Sequence, residues 1–389
     1  MRTPLRFVVA GFLTSTLGAA TLSSAQTVPV LQPEETVVTS HAAQSVQLHG
    51  KWMVVGAPFR RPGEAARPGF VFLYERTGNA DCNTQSCWTR RAELNRPDPL
   101  NNDRFGDSLR FNGKRLVVGS PATTAGSEAA FVYERQGTTF QLLQALQGDP
   151  HPPGVSFSNF GTSVDFHGPR IAVSESVFPS NGGAYVFDHG AEGSWTRTAK
   201  LVPVNVDEGD QNGWTVEVRG NTVMSGADGG NYATVFTLLN GAWQETQTLI
   251  PWDGASGSFG HSISIRGNRA LIGAFSPRTF PGGGSAYIFE RSQGTWNPAA
   301  SLTHPEPFDN DAFGIEVAQT ANRIAVLDRA HVHLYESVGA SWVEEATLEI
   351  PALFDLPSTE RTMGLTRSRL ALALAGVVFV YDLSELNAH

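Results

Sequence analysis

Cysteine, basic charge and long apolar runs are all scarce in this chain. Only Cys82 and Cys87 occur, in "CNTQSC". A zinc site at these thiols would need further ligands nearby, and the sequence has none there. In an oxidising compartment the pair is expected to form a short-loop disulfide. Lys and Arg number 28 against 37 Asp and Glu, a formal net charge of −9. That balance argues against nucleic acid or an anionic membrane as the main partner. Past the first twenty residues no stretch is long and apolar enough for a transmembrane segment. Enzyme signatures are missing too: there is no G-x-S-x-G elbow, no H-E-x-x-H, and no Gly-rich phosphate loop with its Lys.

What is present begins with an address. Arg2 and Arg6 precede an apolar run from Phe7 to about Ala20, and Ser23 and Ala25 fit the small-x-small rule for signal-peptidase cleavage. Residues 1–25 are read as a signal peptide. Residues 26–389 are read as an exported mature chain, extracellular or periplasmic. No Cys follows the run, so no lipid anchor is signalled. Losing Arg2 and Arg6 takes the net charge to −11.

Gly and Pro, 40 and 23 residues, are spread along the whole chain and signal many turns. Between them one sentence repeats. "FGDSLRFNGKRLVVGSP" starts at Phe105, "FGTSVDFHGPRIAVSES" at Phe160 and "FGHSISIRGNRALIGAF" at Phe259. Looser copies start at Ala42, Asn212, Phe313 and Thr359. Seven units at a period of roughly fifty residues are the mark of a propeller or solenoid.

Each unit carries four strand signals. Alternation of period two, as in Ser262-Ile263-Ser264-Ile265, comes first. A tight turn such as "NGKR" follows, where Gly supplies a positive φ. A continuously apolar strand comes next, as expected when both faces are covered. An aromatic-rich strand such as "AAFVYER" is third. In the fourth, Trp88, Phe140, Trp195, Trp243, Trp296 and Trp342 each have Leu six residues later. An even offset predicts both side chains on one face of a strand. The last unit lacks this fourth strand, whereas the mature N-terminus starts with an orphan, "LQPEETVVT", with Leu31 and Val37 at the same offset. Pairing the N-terminal strand with the C-terminal three removes the open sheet edge. The predicted fold is all-β, a seven-bladed β-propeller of four-stranded blades closed in this way, forming a single domain over residues 26–389.

The Phe-Gly pairs, the Gly-x-Arg turns, the "VVGAP" and "VVGSP" endings and the lead-in "PDPLNNDRFG" resemble the FG-GAP repeats of bacterial exported proteins. More distantly, they resemble the integrin α-subunit propeller. The resemblance covers essentially the whole mature chain and implies a fold, not a function. It departs in one respect. Integrin-type repeats place an aspartate-rich calcium loop between the first two strands of some blades, where this chain has short turns such as "NGKR" and "RGNR". Calcium is not carried over to those positions.

Candidate sites lie elsewhere. In a propeller, the loops entering each inner strand share a face with those between the second and third strands. The entering loops are acidic. Asp98, Asp103, Asp207, Asp210, Asp309 and Asp311 are candidate calcium ligands, or acceptors for the amides of their own turns. The other loops bring Phe59, Arg60, Arg61 and Phe178, then Trp252, Asp253, Phe275, Arg278 and Phe280. They are candidate ligand-binding residues because Arg and aromatic side chains are favoured at binding hot spots. Gln47, Arg110, Asp165, Glu217 and Ser264 are expected to face the channel. Asp165 and Glu217, on neighbouring blades, are the one pair suited to glycoside cleavage. A ring of polar groups lining a wet channel is the alternative. His331 and His333 could ligate a metal from one strand face. Yet His333 stands in the row of Phe72, Phe131, Tyr185, Tyr287 and Phe379 that should pack between blades.

The repeat builds a ring and performs no chemistry of its own. The expected function is an exported, non-catalytic binding or adhesion module working through its loop face on an extracellular protein or glycan. No catalytic residues are assigned and calcium is the one cofactor considered. The alternatives are a propeller-type lectin and a glycoside hydrolase or lyase at the channel mouth.

Overall fold

The computed structural model describes residues 30–31, 33, 35–39, 43–58, 67–77, 87–121, 126–150, 159–176, 182–255, 257–275, 283–305, 312–350, 361–374, 376–384 and 386. They form seven blades of four antiparallel strands, six of them ordered from the innermost strand outward in chain sequence and the seventh taking its outermost strand from the N-terminal segment. Blade three is typical: Phe160–His167, Arg170–Glu175, Gly183–His189 and Trp195–Leu201. The first two strands meet in a turn at Gly168, whose φ of 61° suits glycine far better than a residue with a Cβ. Strands from all seven blades surround a central channel.

Closure follows the expected scheme. Glu35–Val38 pairs antiparallel with Val377–Asp382, with Thr36 opposite Phe379 and Val37 opposite Val378. Thr39 Oγ1 donates to the Gly376 carbonyl at 3.0 Å. The Cys87 amide donates to Glu35 Oε2 at 3.0 Å, tying this strand to blade one. The N-terminal segment is not one strand, however. Val30–Leu31 lies parallel to the outer strand of blade six, with Leu31 opposite Leu348, so Leu31 and Val37 belong to different blades. Pro33, between them, has no N–H to give a ladder.

The Trp and Leu of each outer strand also part company. Opposite Val186 and Phe187 the outer strand of blade three supplies Ala199 and then Arg197, skipping Thr198. This bulge inserts one residue and reverses the alternation beyond it. Trp195 therefore packs with blade two residues such as Val117 and Val132, and Leu201 with Val216 and Phe236 of blade four. The same shift occurs in blades one, two, four, five and six. The repeated six-residue spacing marks one anchor for each neighbouring blade.

The remaining repeat residues are seam parts. Phe105, Phe160, Phe259 and Phe313 are at most 1% exposed, and each ring meets the third strand of its own blade edge-on or tilted. The Arg of the Gly-x-Arg turn reaches the next blade, where Arg115, Arg170 and Arg269 lie over Trp195, Trp243 and Trp342 at 4.6–4.9 Å. Hydroxyls three positions after Phe cross the same seams. Ser108 Oγ donates to the Gly161 carbonyl at 2.8 Å, and Ser262 Oγ accepts the Val317 amide at 3.1 Å.

Candidate functional site

The channel encloses about 1340 Å³. Gln47, Arg110, Glu217 and Ser264 line it as expected, and Asp165 lies just behind, 1% exposed. The two carboxylates are both engaged by arginines. Arg110 Nε approaches Asp165 Oδ1 at 2.9 Å, and Arg219 approaches Asp165 Oδ2 at 2.5 Å and Glu217 Oε2 at 2.9 Å. Backbone donors complete the array: the Val218 amide reaches Asp165 at 2.8 Å and the Ile265 amide reaches Glu217 at 3.1 Å. Two cations and two anions from blades two, three and four thus neutralise one another in the wall.

Glu316 stands apart. It occupies the position where six other blades carry Ser or Thr. Burial, helped by the nearby Glu217 charge, pushes its carboxyl up to about 8 against bonds from the Ser262 hydroxyl and the Met363 amide. The folded chain therefore keeps a proton that the unfolded chain releases above about 4.5. Stability present at low pH is lost as pH rises from about 4.5 to 8, by at most about 1.4 kcal/mol per pH unit. Glu316→Gln should flatten that slope and leave the variant more stable than the parent at pH 8. Urea midpoints between pH 5 and 8 will test this, and parallel profiles would refute it.

On the loop face, Asp103 is fully buried and accepts the amides of Gly69, Leu100 and Phe105. Asp98 pairs with Arg96 at 3.0 Å. Asp210 accepts the Asp207 amide at 2.8 Å and the Tyr232 hydroxyl at 3.0 Å. Asp98 and Asp103 thus lie in one entering loop and Asp207 and Asp210 in another. Asp253 accepts the Tyr287 hydroxyl at 2.9 Å, and Trp252 stands edge-on to Tyr287 and Phe289 with 38% of its surface exposed. Phe275 is half-buried, its ring 4.6 Å from that of His261. Phe59, Arg60, Arg61, Phe178, Arg278, Phe280, Asp309, Asp311 and Cys82 lie outside the described residues.

Sequence reasoning passed over one pair entirely and saw only half of a second group. Trp214 and His261, each directly after an inner-strand Gly, line the loop-face mouth of the channel with ring centroids 5.4 Å apart. His261 Nδ1 is 3.0 Å from Asp228 Oδ2. The signal was the non-repeating position inside the repeat. The second group is His304, Asp328, His331 and His333, the one cluster among the described residues with metal-ligating atoms close together. His304 and Asp328 sit in different connections while His331 and His333 open one strand, so the meeting of all four depends on the ring.

Residues 243–289 match the FG-GAP repeat family, a span from the outer strand of blade four to the third strand of blade five. With seven blades in a ring, the chain is a β-propeller that carries an FG-GAP repeat. No curated protein sequence matches it. Among solved structures it is similar to a protein of unknown function from Desulfotomaculum acetoxidans, with 12% identity, TM-score 0.53, and 78% of this chain and 86% of that one covered. It is also similar to a proposed 6-phosphogluconolactonase from Bacteroides fragilis, with 10% identity, TM-score 0.56, and coverage of 85% and 91%. The periplasmic gluconolactonase of Pseudomonas aeruginosa follows at 11% identity, TM-score 0.50, and coverage of 79% and 85%. At these identities the likeness is one of fold. Among the described residues no helix is long and apolar enough to cross a membrane.

Proposed function

We propose that this propeller is an exported, non-catalytic binding module that takes an extracellular protein on its loop face. One observation carries the reading. Half of the large apolar side chains exposed on the described surface sit in connections between blades: Leu100, Val202, Val204, Ile250 and Trp252. Val204 is 81% exposed and Ile250 58%. Exposed apolar side chains held on fixed loops suit a partner that supplies its own apolar surface. Aliphatic side chains favour protein over sugar, since a lectin needs flat aromatic platforms. The channel wall supports the non-catalytic half of the reading, because Asp165 and Glu217 are both already held by arginines and backbone amides.

The test is binding of the purified chain to arrayed extracellular proteins and glycans, with calcium and with chelator, beside a lactone-hydrolysis assay. Protein binding weakened at least tenfold by V204D/I250D is expected. Glycan binding alone would replace this reading with a lectin, and loss under chelator would bring the loop aspartates in as calcium ligands. Lactone turnover would make the chain an enzyme. Protein binding untouched by V204D/I250D would move the surface elsewhere.

A further inference from the structure

Blade six departs from its neighbours where its second strand ends. Asp328 follows Arg323–Leu327, and His331 and His333 open the next strand, His331–Val338. His304 follows the outer strand of blade five, Thr295–Thr303, so four potential ligands from two blades converge.

Their geometry is that of a small cage around one carboxylate oxygen. Asp328 is 1% exposed. Its Oδ1 accepts the amides of Ala330, at 2.6 Å, and His331, which fixes the carboxylate and turns Oδ2 inward. Around Oδ2 stand His333 Nε2 at 3.0 Å, His304 Nε2 at 3.2 Å and His331 Nδ1 at 3.5 Å. A tetrahedral ion with bonds of about 2.0–2.1 Å separates its ligand atoms by about 3.3–3.4 Å. The three oxygen–nitrogen separations already bracket that value. The four ligand atoms lie within 4.8 Å of one another, so closing the nitrogens on an ion takes modest ring rotations.

The surroundings fit as well. His333 Nδ1 is 2.7 Å from Glu344 Oε1, and Thr347 Oγ1 donates to the same oxygen at 3.1 Å. A carboxylate on the far nitrogen of a ligating histidine orients the ring and directs Nε2 at the ion. The Phe313 ring lies 5.3 Å from that of His333 and gives the cage an apolar side. Third-strand neighbours show what this row does without histidine: Phe131 and Tyr185 fill it with aromatic packing alone or with a hydroxyl bonded to a carboxylate.

We propose that His304, Asp328, His331 and His333 bind one zinc ion at the seam between blades five and six. Three imidazoles and one carboxylate suit a borderline divalent ion, whereas calcium takes six or more oxygens. With four protein ligands the site is closed, and its role is to fasten the exit of blade five to the edge of blade six.

The test uses the full chain without an affinity tag, stripped by chelator and titrated with Zn²⁺ against a competing indicator and with Co²⁺ followed in the visible. Expected are one equivalent of Zn²⁺ bound below about 1 μM, tetrahedral Co²⁺ bands, and a melting temperature several degrees higher with Zn²⁺. His304→Ala lies on a connection and should weaken binding at least tenfold. His333→Phe restores the side chain that three other blades carry there, so it keeps the packing while abolishing the bands. Glu344→Ala should cost about 10- to 100-fold in affinity. Circular dichroism of each variant confirms the fold. Absence of uptake in the parent, or uptake unchanged in both His304→Ala and His333→Phe, would overturn the proposal.

Discussion

Gly226→Ala will cost the ring more than about 3 kcal/mol or prevent its folding, while Gly241→Ala, fifteen residues away, will cost about 1 kcal/mol. A Cβ on Gly226 would stand 1.9 Å from the Gly260 carbonyl oxygen and 2.7 Å from Thr215 Cγ2. The first obstacle is the backbone of the next blade, so no side-chain rotation relieves it. Gly119 and Gly273 face the same obstacle in Gly161 and Gly314, at 1.9 and 2.0 Å. Gly241 has a φ of 82°, but a methyl group added there would have nothing within 4 Å, so alanine meets only backbone strain. Chemical unfolding of both variants decides the matter. Equal losses would mean that the seam yields more easily than its contacts imply.

Arg219→Met will destabilise the chain by roughly 3–5 kcal/mol near neutral pH, the usual result of stranding a buried charge. Arg219 serves Asp165 and Glu217 together and donates its Nε to the Ile265 carbonyl at 2.8 Å. Without it two carboxylates share Arg110, which sits 2.9 Å from one and 3.6 Å from the other. Burial already pushes the Glu217 carboxyl up against the opposing Arg219 charge, so removing that charge makes Glu217 hold its proton more tightly still. The penalty should therefore grow as pH rises and shrink toward pH 5. Adding D165N and E217Q to R219M removes the stranded charges and should recover much of the loss. A triple variant no better than R219M would show that the guanidinium acts through packing rather than charge.

These two sites differ in how far the sequence disclosed them. Phe259-Gly260 and its copies announce a ring because a seam repeats with the same parts in each blade. The closing strand was legible too, since the last unit lacks the fourth strand that residues 35–38 supply. Local irregularities were not legible. The skipped Thr198 has no residue signature, and it sends Trp195 and Leu201 to opposite faces. Polar partners were hidden for a different reason. Arg110, Asp165 and Arg219 are spread over three blades, and nothing short of the blade order shows that Arg219 rather than water completes the carboxylates. His304 and Asp328 lie 24 positions apart in unlike loops, so only the fold pairs them. His331 and His333 were visible because a strand's period of two placed them together.

The chain's first described residues bear on how such a ring comes apart. Residues 30–31 lie against the outer strand of blade six and residues 35–38 against the third strand of blade seven, and Thr39 meets a residue 337 positions downstream. The blades cannot peel away one by one from either side of this closure, because Glu35–Val38 is held by Val377–Asp382. The ring cannot lock until its final strand is available, which makes closure a late and slow event in folding. The same arrangement makes opening slow, so the native lifetime is set by the barrier to releasing this one strap as much as by the equilibrium stability of the blades.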